Sequence, residues 1–205
     1  MNVLITGSTG SLGREFAKKL TEKHYSVFQH GTHEIQTEEV DSYLCCDFYK
    51  NPDWEACRQF IRKNKINLLI NNAGVYDSSI EEVIAVNLLA PIKLTTYVAE
   101  LAVENKNKAI IININSLAGL HPNKNEPYYC ASKFGLKGYA EAMCLRLLGT
   151  GIQFCNVYLG AFQSEITKSR HNYECLMTPE KVAKSIVDLI SHDSYLPSTI
   201  EIRNT

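Results

Sequence analysis

The chain has 205 residues, with 21 Lys and Arg against 22 Asp and Glu, for a net charge of −1. This balance gives no electrostatic reason to expect nucleic acid or an anionic membrane as partner. Seven scattered cysteines, odd in number and including the adjacent Cys45 and Cys46, have neither a disulfide framework nor a Cys-x-x-Cys metal or redox spacing.

The first residues pass directly into Asn2-Val3-Leu4-Ile5-Thr6-Gly7 without a basic flank, so no signal peptide is expected. Nor does any apolar stretch look close to the roughly 20 residues of a membrane span. Cysteines used as small buried hydrophobes fit a reducing compartment, and the expected location is cytoplasmic. The six histidines are dispersed, and no metal site is expected.

Short β-branched runs alternate with longer amphipathic ones. A first strand over 2–6 leads to a helix over 12–23, with Leu12, Phe16, Ala17 and Leu20 on one face. Strands over 25–30 and 42–46 follow, then a helix over 52–64 that turns Trp54, Cys57, Phe60 and Ile61 inward, with Pro52 suited to its first turn. A strand over 67–71, a long helix over 86–104, a strand over 109–115 and a helix over 129–148 continue the alternation. A strand over 152–158 precedes a helix over 178–191, capped by Thr178 with Pro179 and Glu180 in its first turn. A short strand over 199–203 ends the chain. Near-continuous apolar strands separated by helices imply one α/β domain over 1–205, a Rossmann-type doubly wound parallel sheet of about seven strands with helices on both faces.

Thr6-Gly7-Ser8-Thr9-Gly10-Ser11-Leu12-Gly13 joins the first strand to the first helix. Glycines there permit a tight turn and close approach of a pyrophosphate to the helix N-terminus, which points to a dinucleotide. Tyr129 and Lys133 are four apart, so on a helix they share a face. An ammonium beside a phenol favours phenolate and lowers the tyrosine pKa from about 10 toward the range of an acid/base catalyst. Ser116, at the end of an apolar strand, is placed to hold a substrate oxygen beside that phenol.

These pieces and their order resemble the short-chain dehydrogenase/reductase superfamily over nearly the whole chain. The matching residues are Thr6 to Gly13, Asp47, Asn71-Asn72-Ala73-Gly74, Val86-Asn87, Ser116, Tyr129-Cys-Ala-Ser-Lys133 and Leu159-Gly160. The resemblance implies Tyr129 as general acid/base and Lys133 as the cation that tunes it and bonds the nicotinamide ribose. It also implies Ser116 as the orienter of the substrate oxygen and Asn87 as holder of a water in a proton relay through Lys133. Asp47 and Phe48 would meet the adenine edge, and Asn72 to Gly74 the adenosine side. Gly160, Ala161 and Phe162 would run past the nicotinamide, with Ser164 near its carboxamide.

Departures from the family pattern are visible. Ser11 takes the place of a glycine, Leu159 replaces a proline, and only 12 residues separate Gly74 from Asn87, so the intervening helix must shrink to about 78–85. At the end of the second strand, Phe28-Gln29-His30-Gly31-Thr32-His33 lacks the acid that would bind a ribose 2′-hydroxyl. His30, Gly31 and Thr32, with His33 or Arg14, are therefore expected near a 2′-phosphate, which favours NADP while leaving NAD open. Substrate walls are expected from Tyr76, residues 117–121 and the loop 161–178, where Arg170 is placed to grip an anion.

The reading is an NADP(H)-dependent oxidoreductase interconverting a carbonyl and an alcohol. A silent dinucleotide sensor and an NAD-retaining epimerase are the alternatives. A small-molecule substrate and a homodimer or homotetramer, paired through the two long helices, complete the expectation.

Overall fold

The computed structural model describes residues 1–34, 42–191 and 196–204. In chain order the strands are β1 (Asn2–Ile5), β2 (Ser26–Gly31), β3 (Tyr43–Cys45), β4 (Leu68–Asn71), β5 (Ala109–Ser116), β6 (Ile152–Leu159) and β7 (Thr199–Ile202). The helices are α1 (Ser11–Glu22), α2 (Trp54–Lys63), α3 (Ile80–Ile84), α4 (Ala90–Glu104), α5 (Pro127–Arg146) and α6 (Pro179–Ile190). All seven strands pair in parallel, in the order β3-β2-β1-β4-β5-β6-β7. Chain order reverses between β1 and β4, and in sheets of this kind a ligand crevice opens beyond the carboxyl ends of the strands at that point.

Side chains alternate across each strand, so the two faces of the sheet make two cores. Val3, Ile5, Ile70, Ile112 and Val157 pack with Phe16 and Leu20 of α1 and Val182, Ile186 and Val187 of α6. Leu4, Leu69, Ile111 and Phe154 pack on the other face with Cys57 and Ile61 of α2 and Leu94 and Val98 of α4. The cap read from the sequence is present: Thr178 accepts a hydrogen bond from the Lys181 N–H at 3.3 Å. Helix α2 starts at Trp54, after rather than at Pro52, and Asp53 caps it, with its carboxylate accepting from the Ala56 N–H at 2.9 Å.

The shortened segment after β4 departs most from expectation. Instead of two separate helices, α3 and α4 fuse through a π turn, Ala85–Leu89, closed by the Ala90 N–H on the Ala85 carbonyl. The resulting run from Ile80 to Glu104 is 25 residues, long and apolar enough by composition to cross a bilayer, which corrects the expectation that no stretch reaches that length. Its stripe of Ala90, Leu94, Val98 and Ala102 is buried, as in the core helix of a folded domain. Helix α5 also starts two residues earlier than expected, at Pro127, whose missing N–H suits a first turn.

A polar rung crosses this apolar centre. Asn71, Asn113 and Asn156 are in register on β4, β5 and β6 and all buried. Asn71 donates to Asn113 at 2.9 Å and to Thr95 at 3.1 Å, and Asn113 donates to Asn156 at 3.1 Å. Buried amides are costly unless paired, so the middle member matters most. Asn113→Ala should cost about 2–4 kcal/mol, because it leaves two neighbours unsatisfied as well as a cavity. Urea unfolding checks this; a loss under about 1 kcal/mol would contradict the rung's role.

Candidate active site

A cleft of about 1010 Å³ runs along the carboxyl ends of the strands, from the glycine-rich loop past β4 and β5 to the loop after β6. At one end, Gly7 has φ +62°, and a Cβ there would meet the Ala73 Cα at 2.9 Å. A Cβ at Gly13 would meet the Gly7 carbonyl oxygen at 2.2 Å, so the turn closes only without side chains at these positions. Gly10 caps α1 without any side-chain hydrogen bond, leaving the first-turn N–H groups directed at the cleft without a capping side chain. Gly7, Thr9, Gly10, Ser11 and Leu12 all line the cleft there. These donors, at the positive end of a helix, fit a dinucleotide pyrophosphate.

Thr6, Ser8 and Gly13 do not line the cleft; they are buried behind the loop and shape it. The Thr6 hydroxyl accepts the N–H groups of Asn72 and Ala73, each at 2.9 Å. The Asn72 amide returns two bonds to the carbonyls of Thr6 and Gly7, at 2.9 and 3.2 Å. Asn72, Ala73 and Gly74 thus both line the cleft and fix the phosphate-loop backbone.

His30 lines the cleft too, but is a correction to the expected loop contact with a 2′-phosphate. It is 2% exposed, and its ring stacks on Phe48 at 4.1 Å, which in turn stacks on Trp54 at 5.6 Å. Its Nδ1 accepts the Gly7 N–H at 3.1 Å, so Nε2 carries the proton and donates to the Cys46 carbonyl at 2.9 Å. Burial pushes His30 down to about 4, and a neutral ring cannot neutralise a phosphate. Arg14 is exposed and away from the cleft, whereas Gly31, Thr32, His33 and Lys50 line it. Asp47 accepts the N–H groups of Tyr49 and Lys50 on Oδ1, each at 2.9 Å, which holds its carboxyl below the usual range beside Phe48.

At the other end Ser116, Tyr129 and Lys133 come together. Ser116 Oγ accepts the Ala118 N–H at 3.1 Å, and its hydroxyl opposes the rise in the Tyr129 pKa. Asn115, just before it, donates from Nδ2 to the Lys133 carbonyl at 3.2 Å, tying β5 to α5. Lys133 is 5% exposed, donates from Nζ to the Ile114 carbonyl at 3.1 Å, and lies 5.6 Å from the Tyr129 ring centre. The expected depression of Tyr129 by Lys133 is not what this arrangement produces. Burial dominates both groups, pushing Tyr129 up to about 12 and Lys133 down to about 8.

Asn87, expected to hold a relay water, is fully buried and spends its amide otherwise. Oδ1 accepts the Val75 N–H at 2.9 Å, and Nδ2 donates to the Val75 carbonyl at 2.8 Å and to Ser132 Oγ at 3.3 Å. It splints the chain after Gly74 to α5.

Gly160, Ala161, Phe162 and Ser164 line the cleft where the chain leaves β6, joined by Ile166, Thr167 and Arg170. Without the proline at Leu159, the turn is held from outside. Gly160 N–H donates to the Ile202 carbonyl at 2.8 Å, and the Asn204 amide donates to the Ala161 carbonyl at 2.6 Å. Asn204 Oδ1 accepts the Met177 N–H at 2.8 Å, so the loop base is stapled at both ends. Sequence reading missed Asn204 and Thr167, since polar residues in irregular segments form no pattern. His171, Tyr173 and Met177 lie outside the cleft lining.

The neutral His30 carries a pH signature. The unfolded chain protonates it near pH 6.5, the folded chain only near 4, so stability present above about 6.5 is lost as pH falls toward 4. At pH 5 this group accounts for a loss of about 2 kcal/mol. Urea unfolding at pH 7 and pH 5 should show that loss in the wild type and most of it absent in His30→Gln.

The family model for short chain dehydrogenases matches residues 1–174. The mouse (Mus musculus) Dehydrogenase/reductase SDR family member 7 is 28% identical over 229 residues, covering 99% of this chain and 65% of that protein, so the chain spans just under two thirds of that relative. The 3-oxoacyl-(acyl-carrier-protein) reductase FabG of Rickettsia conorii is 28% identical over 207 residues, covering 94% of this chain and 82% of its own length. A solved structure of 4-hydroxyisoleucine dehydrogenase complexed with NADH superposes with a TM-score of 0.84 at 24% identity, covering 99% of this chain and 96% of that one. With the glycine-rich turn, the Ser-Tyr-Lys constellation and these relatives agreeing, the chain belongs to the short-chain dehydrogenase/reductase superfamily of NAD(P)-dependent oxidoreductases acting on alcohol and carbonyl groups.

Proposed function

We propose that the chain is an NADP(H)-dependent carbonyl reductase, working reversibly as an alcohol dehydrogenase with Tyr129 as its acid/base. The observation that carries this reading is the meeting of Ser116, Tyr129 and Lys133 at one end of a cleft whose other end is the uncapped helix α1. Bound nicotinamide supplies the hydride. The residues of the chain do the rest. Ser116 and the phenol converge on the position of a carbonyl oxygen, and Tyr129, protonated throughout the neutral range, donates its proton to that oxygen as the alkoxide develops. Lys133, fixed on the Ile114 carbonyl beneath the ring, lies within reach of a ribose hydroxyl.

The preference for a 2′-phosphate is supported by the chemistry at the end of β2. Gly31, Thr32, His33 and Lys50 line that part of the cleft, and Glu34 does not. Asp47 also lines it, with Oδ1 taken by the Tyr49 and Lys50 N–H groups, so the Lys50 cation and the small polar groups are what favour a phosphate there.

NADPH and NADH oxidation by the purified protein across ketones, aldehydes, quinones and keto-sugars tests the reading. NADPH should be preferred, and Tyr129→Phe should lower turnover at least ~10²-fold, the low end for loss of a general acid. Turnover intact in that variant would overturn the mechanism.

We also propose that α4 and α5 pair across a two-fold axis in a homodimer or homotetramer. Val103 is 50% exposed on α4, Phe134 40% on α5, and Leu145 and Leu148 reach 72% and 76% at and just beyond the end of α5. So much exposed apolar surface on neighbouring elements marks an association face. Light scattering at micromolar concentration should report at least a dimer, and Leu145→Glu should weaken it; a wild-type monomer would refute the pairing.

A further inference from the structure

The loop between β6 and α6 forms one wall of the cleft through Ala161, Phe162, Ser164, Ile166 and Arg170. It begins beside Ser116. Leu159 pairs in register with Ser116, and a Cβ on Gly160 would meet the Leu117 side chain at 3.6 Å. The next residues bond to the far end of the same loop. Phe162 makes a parallel bridge with Met177, and the Gln163 N–H donates to the Met177 carbonyl at 2.9 Å.

Asn204, just beyond β7, spans this closure from outside the cleft lining. Its Nδ2 donates to the Ala161 carbonyl at 2.6 Å, and its Oδ1 accepts the Met177 N–H at 2.8 Å. One planar amide thus joins the residue entering the loop to the residue leaving it, and ties both to the end of β7. Inside the loop the bonds are internal. Thr167 donates to the Phe162 carbonyl at 2.5 Å and accepts the Ser164 N–H at 3.0 Å, while Gln163 Nε2 donates to the Tyr173 carbonyl at 3.3 Å. These contacts give the loop its shape without fixing its direction against the sheet. Phe162 and Met177 also pack on the core. Apolar contact sets depth but has no direction, whereas a hydrogen bond is directional.

We infer that Asn204 is a positioning residue for the nicotinamide half of a bound dinucleotide, holding the base of the loop closed so that Ala161 and Phe162 meet the cleft in one arrangement. It does not itself line the cleft and acts through those two residues. The adenosine half of the cleft, built on the glycine-rich turn and the end of β2, has no contact with this clasp. Loss of Asn204 therefore affects one half of the ligand only. This inference rests on the reading that nicotinamide lodges beside Ser116 and Tyr129.

The test uses the whole chain and two variants. Asn204→Ala removes both bonds. Asn204→Asp keeps an acceptor for Met177 but offers no donor to Ala161. The first readout is amide hydrogen exchange by NMR without dinucleotide. Met177 loses its acceptor directly in Asn204→Ala, so Gln163 is the informative amide, its own acceptor being untouched. Gln163 should exchange about fivefold faster or more, within the range for one lost hydrogen bond. The second readout is the Kd of NADPH against that of adenosine 2′,5′-bisphosphate, with NADH and adenosine 5′-diphosphate run alongside. Both variants should raise the dinucleotide Kd about fivefold or more, and leave the adenosine fragment within about twofold. Unchanged Gln163 exchange, wild-type dinucleotide affinity in Asn204→Asp, or equal weakening of dinucleotide and fragment would each overturn the positioning role. The fragment also shows whether a variant is folded. A wild type without carbonyl turnover would sink the proposed reductase instead, and both readouts would still judge the clasp.

Discussion

Two turns at the carboxyl edge of the sheet, one after β1 and one after β4, are locked by a side chain from each bonding the backbone of the other, and the rest of the cleft is assembled on that lock. Thr6 contributes one hydroxyl that accepts two N–H groups, and Asn72 returns two donors to the loop carbonyls. Close approach is possible because Gly7 has no Cβ and adopts a left-handed backbone. His30 braces the loop from the other side by accepting the Gly7 N–H. Helix α1 therefore begins where its free N–H groups meet the cleft, not where a side chain would have capped them.

The chemistry at the far end depends on burial more than on direct ion pairing. Lys133 is taken out of water against the Ile114 carbonyl, and Tyr129 is buried beside it, so each is driven toward its neutral form. A pair in that condition holds a proton on the phenol at neutral pH, as reduction of a carbonyl requires. Asn87 and Asn115 belong to the support of this pair. One splints the strand after Gly74 to α5, and the other joins β5 to the same helix, so position is fixed from both sides. Binding sites held by such supports lose little freedom when they act.

Much of this was legible in the sequence because it is periodic or local. Strand–helix alternation and apolar strands gave the parallel sheet, and Thr178 with Pro179 gave a helix start that the structure reproduces. The glycine turn, Ser116, Tyr129 and Lys133 were readable because their chemistry needs fixed residue types at fixed spacing. What was not legible was direction and surroundings. His30 read as a contact for a 2′-phosphate because nothing local shows that Phe48, backed by Trp54, covers it. The fusion of α3 and α4 through a π turn was hidden for a similar reason, since the turn that admits Asn87 departs from the helical period by one residue.

By itself the sequence determined the order of elements, the two-faced core and the candidate Ser116, Tyr129 and Lys133 set, because these follow from hydrophobic period, turn chemistry and side-chain type. Only the tertiary structure decided which donors and charges face one another. Tyr76 and Tyr129 lie in distant parts of the chain and meet edge-on because β4 and β5 are neighbours in the sheet. Asn204 staples Ala161 and Met177 because β7 lies beside β6. The protonation states of His30, Tyr129 and Lys133 were set in the same way. A pKa answers to the solvent and charges around a group, and those exist only once distant segments have packed.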